Sequence, residues 1–368
     1  MASALKDLYS PEFYDRFAKP ASAVFPAFNK KKFNQMIFDK DWGSRELKQR
    51  MRHTAEVLHH FLPDDFEQAA EQIISLIRHL QESGFTENGL EFMFLPDYVE
   101  VYGIDHFRSS VRCMEQVTQF TSCEFAVRPF LLRYPDKMMQ QMQRWSLHKD
   151  HKVRRLSSEG TRPRLPWAMA VPALKKDPAP VLSILENLKQ DPSEWVRRSV
   201  ANNLNDIAKD HPQIVTAIAK KWKGLGKETD AIIKHGCRTL LKKGDTEILS
   251  YYGLSNSQDI QLTKTTLLTP EVRIGKELCF AFHVHNRSGR SQTVRLEYGI
   301  YYLRLNGQLS KKVFKISERM LAPDEKLTVQ RKQSFRLITT RRFYPGQQQL
   351  SIIINGQERK TMPFILLP

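Results

Sequence analysis

Val-Arg-Arg occurs twice in this chain, at Val153 and again at Val196, each time inside an amphipathic stretch with a serine close behind. "HKVRRLSSEG" and "SEWVRRSVANN" align in one register 43 residues apart, and "AIIKHGCRTLLKKGD" places Ile233 at the same position 37 residues further on. Recurrence at roughly 40–47 residues is the period of HEAT-type helix pairs. Such a pair cannot bury its apolar face alone and has to stack on its neighbours, so the spacing predicts an α-helical solenoid in which like faces of successive helices lie side by side. The flanking sequence is helical too. "RELKQRMRHTAEVLHHFL" is expected to start behind an N-cap at Ser44. "DDFEQAAEQIISLIRHLQESG" stops at a glycine, and "SCEFAVRPFLLRYPDKMMQQMQRW" reads as two short helices broken at Tyr134-Pro135.

Near residue 256 the period shifts. "ELCFAFHVHNRSG", "QTVRLEYGIYYLRLNGQ", "KKVFKISE", "KLTVQRKQSF", "QQLSIIINGQ" and "RKTMPFILLP" are short alternating segments separated by Asn-Gly, Pro-Asp, Pro-Gly and Asn-Arg-Ser-Gly turns. Strands of this length and spacing predict an immunoglobulin-like β-sandwich, although the Cys…Trp…Cys signature of antibody domains is missing. The expected fold is mainly α: a HEAT-like helical solenoid over residues 1–255, followed by a C-terminal immunoglobulin-like β-sandwich over 256–368.

Charge narrows the partner. Lys and Arg number 57 against 40 Asp and Glu, a formal net charge of +17, which points to a polyanion. No apolar run approaches eighteen residues, so no membrane span is expected, and "MASALKDLYSPEFYDRF" lacks the pattern of a secretory signal. Cys113, Cys123, Cys237 and Cys279 are scattered without a Cys-x-x-Cys pair, which suits reduced thiols rather than zinc ligands or disulfides. Phosphate-loop, dinucleotide and His-Glu-x-x-His motifs are absent. His283 and His285 alternate along a predicted strand, where ordinary cross-strand histidines are favoured over a metal site. No metal and no cofactor are expected.

Within the second repeat, Val196, Val200, Leu204 and Ile207 fall on one packing face, and Trp195, Ser199, Asn202 and Asp206 form a second stripe. Glu159 lies six residues after Val153, as Asn202 does after Val196, so Glu159 is expected beside the Asn202/Asp206 stripe. Glu124 in "TSCEFAVRPF" is expected to open the preceding helix, where a carboxylate suits the helix dipole. Each acid also has a plain structural reading: Glu159 paired with Arg155 or Arg162, Asp206 with Arg198 or Lys209, Glu124 as a cap. Together, however, they place acids in a groove lined by Arg154, Arg155, Arg162 and Arg164, with Trp167 and Trp195 near enough to touch a base or sugar.

The blocks "RRLSSEGTRPRLPWA", "SEWVRRSVANNLNDIAKDHP", "SCEFAVRPFL" and "WGSRELKQRMRH" closely resemble the AlkC branch of the AlkD-like bacterial DNA glycosylases, a resemblance that extends over essentially the whole chain. It implies a HEAT-like solenoid with, in one subclass, a C-terminal immunoglobulin-like domain. It further implies monofunctional excision of cationic N-alkylated bases, chiefly 3-methyladenine and 3-methylcytosine, from duplex DNA, without flipping the lesion into a tight pocket. Carried over by motif, Glu159, Asp206 and Glu124 occupy the family's acidic catalytic positions and Trp167 the aromatic one beside them. Trp195 and Asn202 are expected to touch the substrate, and Arg154, Arg155, Arg162 and Arg164 to hold phosphates. No lysine is expected among the acids, so water is the expected nucleophile. In the sandwich, Arg336, Arg341 and Arg342 near one turn and Lys311, Lys312 and Lys315 near another are expected to contact DNA; the plain reading is edge charge that blocks strand pairing. The resemblance implies a monomer acting at the bacterial nucleoid in the cytoplasm. From another class, a non-catalytic HEAT-repeat scaffold that binds nucleic acid or protein also fits the repeat and the charge.

Overall fold

A computed structural model describes residues 4–87, 89–254, 258–338 and 341–368. Among them the helices are α1 (Pro11–Val24), α2 (Lys30–Ile37), α3 (Leu47–His59), α4 (Phe66–Glu82), α5 (Phe94–Tyr102), α6 (Phe107–Val117), α7 (Val127–Arg133) and α8 (Pro135–Trp145). They continue with α9 (His151–Gly160), α10 (Pro172–Lys176), α11 (Ala179–Leu188), α12 (Glu194–Ile207), α13 (Pro212–Trp222), α14 (Lys227–Gly236), α15 (Arg238–Lys243) and α16 (Thr246–Tyr251). Strands follow as β1 (Ile260–Leu267), β2 (Glu271–Arg273), β3 (Glu277–Asn286), β4 (Gln292–Leu303), β5 (Leu309–Leu321), β6 (Lys326–Ser334), β7 (Gly346–Ile354) and β8 (Gln357–Leu367). The chain divides into two compact units, Met1–Val215 with Trp222–Gly236, and Thr216–Lys221 with Cys237–Pro368. The boundary expected at 255/256 falls among residues 255–257, outside the described residues.

The repeat read from the sequence organises the helical unit. Val153 and Val196 are buried in the first turns of α9 and α12, and Ile233 is buried one turn deeper, in the second turn of α14; α12 packs against α9 on one side and α14 on the other. Two glycines allow this closeness. A Cβ on Gly236 would stand 2.9 Å from Leu204 Cβ on α12, and one on Gly160 would stand 2.6 Å from Val127 Cγ2. Gly160 therefore does not interrupt α9; the helix runs through Glu159 and Gly160 because the missing side chain lets its last turn lie on α7 and α8. We predict that Gly160→Val overpacks this contact and lowers stability by about 1–3 kcal/mol. Urea unfolding of the full chain with an unchanged midpoint would contradict it.

Two local expectations are corrected. Ser44 does not cap α3: it belongs to a 3₁₀ turn at Trp42–Ser44, and its hydroxyl donates to Asp41 O. Glu46 is the N-cap, with its backbone N–H donating to Gln49 Oε1 at 2.8 Å, which satisfies one of the helix's free donors. Glu124 does not open α7 either. It sits in the turn before Ala126, the N-cap.

In the second unit the strands form a three-stranded sheet, β1-β3-β6, and a five-stranded sheet, β2-β8-β7-β4-β5. Phe280, Phe282 and Val284 from β3 meet Val294, Leu296, Ile300, Leu350 and Ile352 from the other sheet in one apolar core, the period-2 alternation visible in the sequence. β1 and β2 were not foreseen. Helices α15 and α16 belong to this unit, and the turn between β7 and β8 touches them: a Cβ on Gly244 would lie 2.6 Å from Gly356 O. His283 and His285 bond Thr328 and Asp324, respectively. Cys113, Cys123 and Cys237 are buried free thiols, and Cys279 is half-buried.

Candidate active site

The basic pair of each repeat divides its labour by position. Arg154 Nη1 donates to the carbonyls of His148 and Lys149, and Arg197 Nη1 to those of Asp191 and Pro192. In both helices the first arginine reaches back six and five residues to satisfy the loop that enters its own helix. Arg154 also grips buried Asp191 through Nε (2.5 Å) and Nη2 (3.0 Å). These bonds tie Arg154 to Asp191 and to the loop that enters α9. The second position points elsewhere. Arg155 donates from Nη1 to Ser122 Oγ (3.1 Å) and Glu124 Oε2 (2.9 Å), and its guanidinium lies 4.6 Å from the centre of the Trp195 ring. Arg198 is exposed.

Glu159 and Asp206 come together through Arg162. Its Nη1 donates to Glu159 Oε1 (2.7 Å) and its Nε to Asp206 Oδ2 (2.9 Å). Glu159 is 6% exposed, Asp206 1% and Arg162 7%. Burial works against charge on Arg162, but the Glu159 and Asp206 carboxylates outweigh it and raise its pKa. Ser199 Oγ donates to Glu159 Oε2 at 2.7 Å, and Lys209 Nζ to Asp206 Oδ1 at 2.8 Å. The expectation that no lysine lies among the acids is thereby corrected: Lys209 is three residues on from Asp206, in the turn just past the end of α12, and that turn brings the two side chains together. Arg164 pairs with Asp210 through Nε (3.1 Å) and Nη2 (2.7 Å). The four arginines expected on phosphates are thus all bonded to carboxylates; repulsion among close cations is relieved by interleaving the acids.

Glu124 adds the third acid. Its Oε2 accepts from Ser122 and Arg155, and Arg155 Nη2 stands 3.8 Å from Glu159 Oε1, so one chain of ion pairs runs Glu124, Arg155, Glu159, Arg162, Asp206, Lys209. Among the described residues Glu124 Oε1 has no recorded hydrogen bond. A cavity of about 220 Å³ is lined by Ser122, Glu124, Phe125, Arg155, Trp167 and Trp195. Glu159 and Asp206 lie outside its lining. A larger hollow of about 480 Å³ opens between α12 and α14, lined by Arg197, Arg198, Lys227 and His235 among others; it lacks the carboxylate chain.

Asn202 is not beside Glu159. Its Oδ1 meets His235 Nε2 on α14 at 3.0 Å, and Asn203 instead donates to Ser158 O at 2.8 Å on α9. The three-residue step from Ser199 undershoots a full turn and swings Asn202 toward the other neighbouring helix; the four-residue step does not.

Trp167 is 60% exposed and sits at φ 64°, a region bulky residues avoid. Two cations that sequence reasoning missed hold its segment. Fully buried Arg128 donates from Nε to Met169 O (2.5 Å) and from Nη1 to the carbonyls of Gly160 and Arg162 (both 2.9 Å). Burial, with Arg162 nearby, pulls its pKa down to about 10. Lys48 Nζ donates to Trp167 O and lies 5.2 Å from the Phe125 ring centre. Neither contact has a sequence signal, because each joins a side chain to a distant carbonyl.

Among the described residues no cluster of three or more His, Cys, Asp or Glu is arranged to hold a metal ion, and no helix is long and apolar enough to cross a membrane. Residues 54–242 match the family model described as DNA alkylation repair enzyme, and residues 261–368 match that of the C-terminal Ig-like domain of YhaZ. The chain is 44% identical, over 98% of both sequences, to the uncharacterized protein YhaZ of Bacillus subtilis (strain 168). It is 32% identical to the Pseudomonas fluorescens alkylpurine DNA glycosylase AlkC, solved bound to DNA containing an abasic site analogue, with a TM-score of 0.92 and 100% of each chain covered.

Proposed function

This chain belongs to the DNA alkylation repair enzyme family, and from that premise we propose that it is a monofunctional DNA glycosylase which hydrolyses the N-glycosidic bond of cationic N-alkylated bases, 3-methyladenine and 3-methylcytosine, in duplex DNA. The observation that carries the reading is the carboxylate chain Glu124, Glu159 and Asp206 beside a cavity walled by Trp167, Trp195 and Phe125.

Alkylation at N3 gives the base a positive charge and makes it a good leaving group. The C1′–N bond then breaks with little need for acid catalysis, leaving positive charge on the sugar. Carboxylates fixed in advance stabilise that charge without reorganising. Arg155 and Arg162 fix them here, at the cost of damping their field. Glu124 is the acid on the cavity wall with an oxygen left over, which suits it to orient the attacking water; buried Glu159 and Asp206 supply charge from behind. An ammonium that donates to Asp206 has no lone pair to attack C1′, so Lys209 is not a nucleophile in this reading.

The test is release of free base from duplex DNA carrying 3-methyladenine or 3-methylcytosine. We expect both bases to be released, an intact abasic site to remain, and borohydride to trap no enzyme–DNA adduct. Trapping would identify an amine nucleophile, with Lys209 the first to substitute. Tight DNA binding without release would make the protein a scaffold.

A further inference from the structure

Trp167 is held where neither packing nor backbone preference would put it. The residue is 60% exposed, so burial contributes little, and its φ of 64° places an aromatic residue in the left-handed region. Such a backbone persists only where the surroundings over-determine it. Residues 161–171, which run from α9 to α10, form neither helix nor strand, so a regular ladder of backbone bonds does not supply the constraint. Two side chains supply it. Arg128, on α7, donates to the carbonyls of Gly160 and Arg162 before the tryptophan and to that of Met169 after it. Lys48, in the first turn of α3, donates to the carbonyl of Trp167 itself.

No acid accounts for either cation. Among the described residues Arg128 and Lys48 have no recorded ion pair, whereas Arg154, Arg155, Arg162 and Arg164 are each paired with a carboxylate. Arg128 Nη2 is buried without a hydrogen-bond partner, a desolvation left uncompensated. Lys48 stands at the end of α3 where the helix dipole opposes a positive charge. Stability alone favours neither placement.

The position of Lys48 has a geometric consequence. Phe125 and Trp167 line both the 220 Å³ cavity beside Glu124 and a second hollow of about 470 Å³, whose walls include Lys48, Arg52 and Asp97. The two aromatic residues are therefore the partition between the hollows. Lys48 lines the larger hollow and not the smaller, and its ammonium lies 5.2 Å from the Phe125 ring centre while it bonds Trp167 O. It fastens the partition from behind, without entering the cavity where Glu124 stands.

We propose that Lys48 is a positioning residue for base excision: against the anchor that Arg128 provides, it keeps Trp167 in its left-handed conformation as a rigid wall of the Glu124 cavity, and it acts on the reaction only through Trp167. The proposal rests on the glycosylase reading of that cavity and adds what sets its wall before DNA arrives.

The experiment uses the full chain with two substitutions at one position. Lys48→Met removes the donor and the charge, and Lys48→Arg restores both. Lys48 is exposed, so each variant should melt at the parent's temperature. Chymotrypsin cleavage after Trp167 reports local opening of the segment without any need for activity. It should be faster in Lys48→Met and return toward the parent's rate in Lys48→Arg. Single-turnover release of 3-methyladenine should slow by about tenfold in Lys48→Met, since a misplacement of about 1 Å can cost 10²-fold, and Lys48→Arg should recover most of it. Trp167→Gly removes the ring and accepts the positive φ without strain. In that background Lys48→Met should change the release rate by less than about twofold, because the two residues act as one unit. The salt slope of duplex binding should stay at the parent's value; a slope lowered by about one would make Lys48 a phosphate contact instead. An unchanged cleavage rate, an equal loss of release in the parent and Trp167→Gly backgrounds, or a lowered salt slope overturns the proposal. A parent that releases no base overturns the glycosylase reading and with it any role for Lys48 in excision, and the cleavage rates still show separately whether Lys48 holds Trp167.

Discussion

Asp206→Asn and Glu159→Gln should each slow single-turnover excision of 3-methyladenine by about 10²–10³-fold, the range for losing a group that stabilises charge in the transition state. Both substitutions keep the shape of the side chain and remove its charge. Asp206 takes Arg162 on one oxygen and Lys209 on the other; the amide retains an oxygen for one of them and turns a donor toward the other. Glu159 loses its charge between Arg162 and Ser199. Affinity for undamaged duplex should hold or rise, since each change removes negative charge from a basic protein. This pairing of outcomes, slow chemistry with intact binding, separates a catalytic role from a folding one. Near parental rates in both variants would place the chemistry elsewhere.

Arg162→Met should produce the largest loss of stability. The guanidinium holds two buried carboxylates with one planar fork, and methionine fills most of its volume without replacing either bond. Breaking a buried ion pair by removing one partner costs about 3–5 kcal/mol, because the charges left behind stay buried. We expect this as a lowered urea midpoint for the transition followed by helical circular dichroism. Arg162→Lys tests the geometry separately: it restores the charge, but a single ammonium cannot reproduce the in-plane bonds from Nε to Asp206 and from Nη1 to Glu159. It should recover part of the stability and little of the excision rate. A midpoint for Arg162→Met within about 0.5 kcal/mol of the parent, the usual scatter of neutral surface changes, would mean that Glu159 and Asp206 do not depend on Arg162.

What the sequence determined was set by periodicity and by motif. The spacing of Val153, Val196 and Ile233 determined that α9, α12 and α14 present equivalent faces, because each repeat can bury its apolar side only against the next. Alternation after residue 260 determined the sandwich, because period 2 suits only a pleated strand with one face in a core. Glu124, Glu159, Asp206 and Trp167 could be singled out as a set by the blocks that carry them. The tertiary structure alone decided which of two adjacent arginines bonds the loop and which bonds Glu124, since Arg154 and Arg155 are chemically alike and only their positions around the axis of α9 separate them. It decided that Asn203 rather than Asn202 meets α9, a matter of one residue's rotation about the axis of α12. It also decided that Arg128 and Lys48 hold the Trp167 segment. Those bonds run to backbone carbonyls, which every residue has, so no residue type at the far end could announce them.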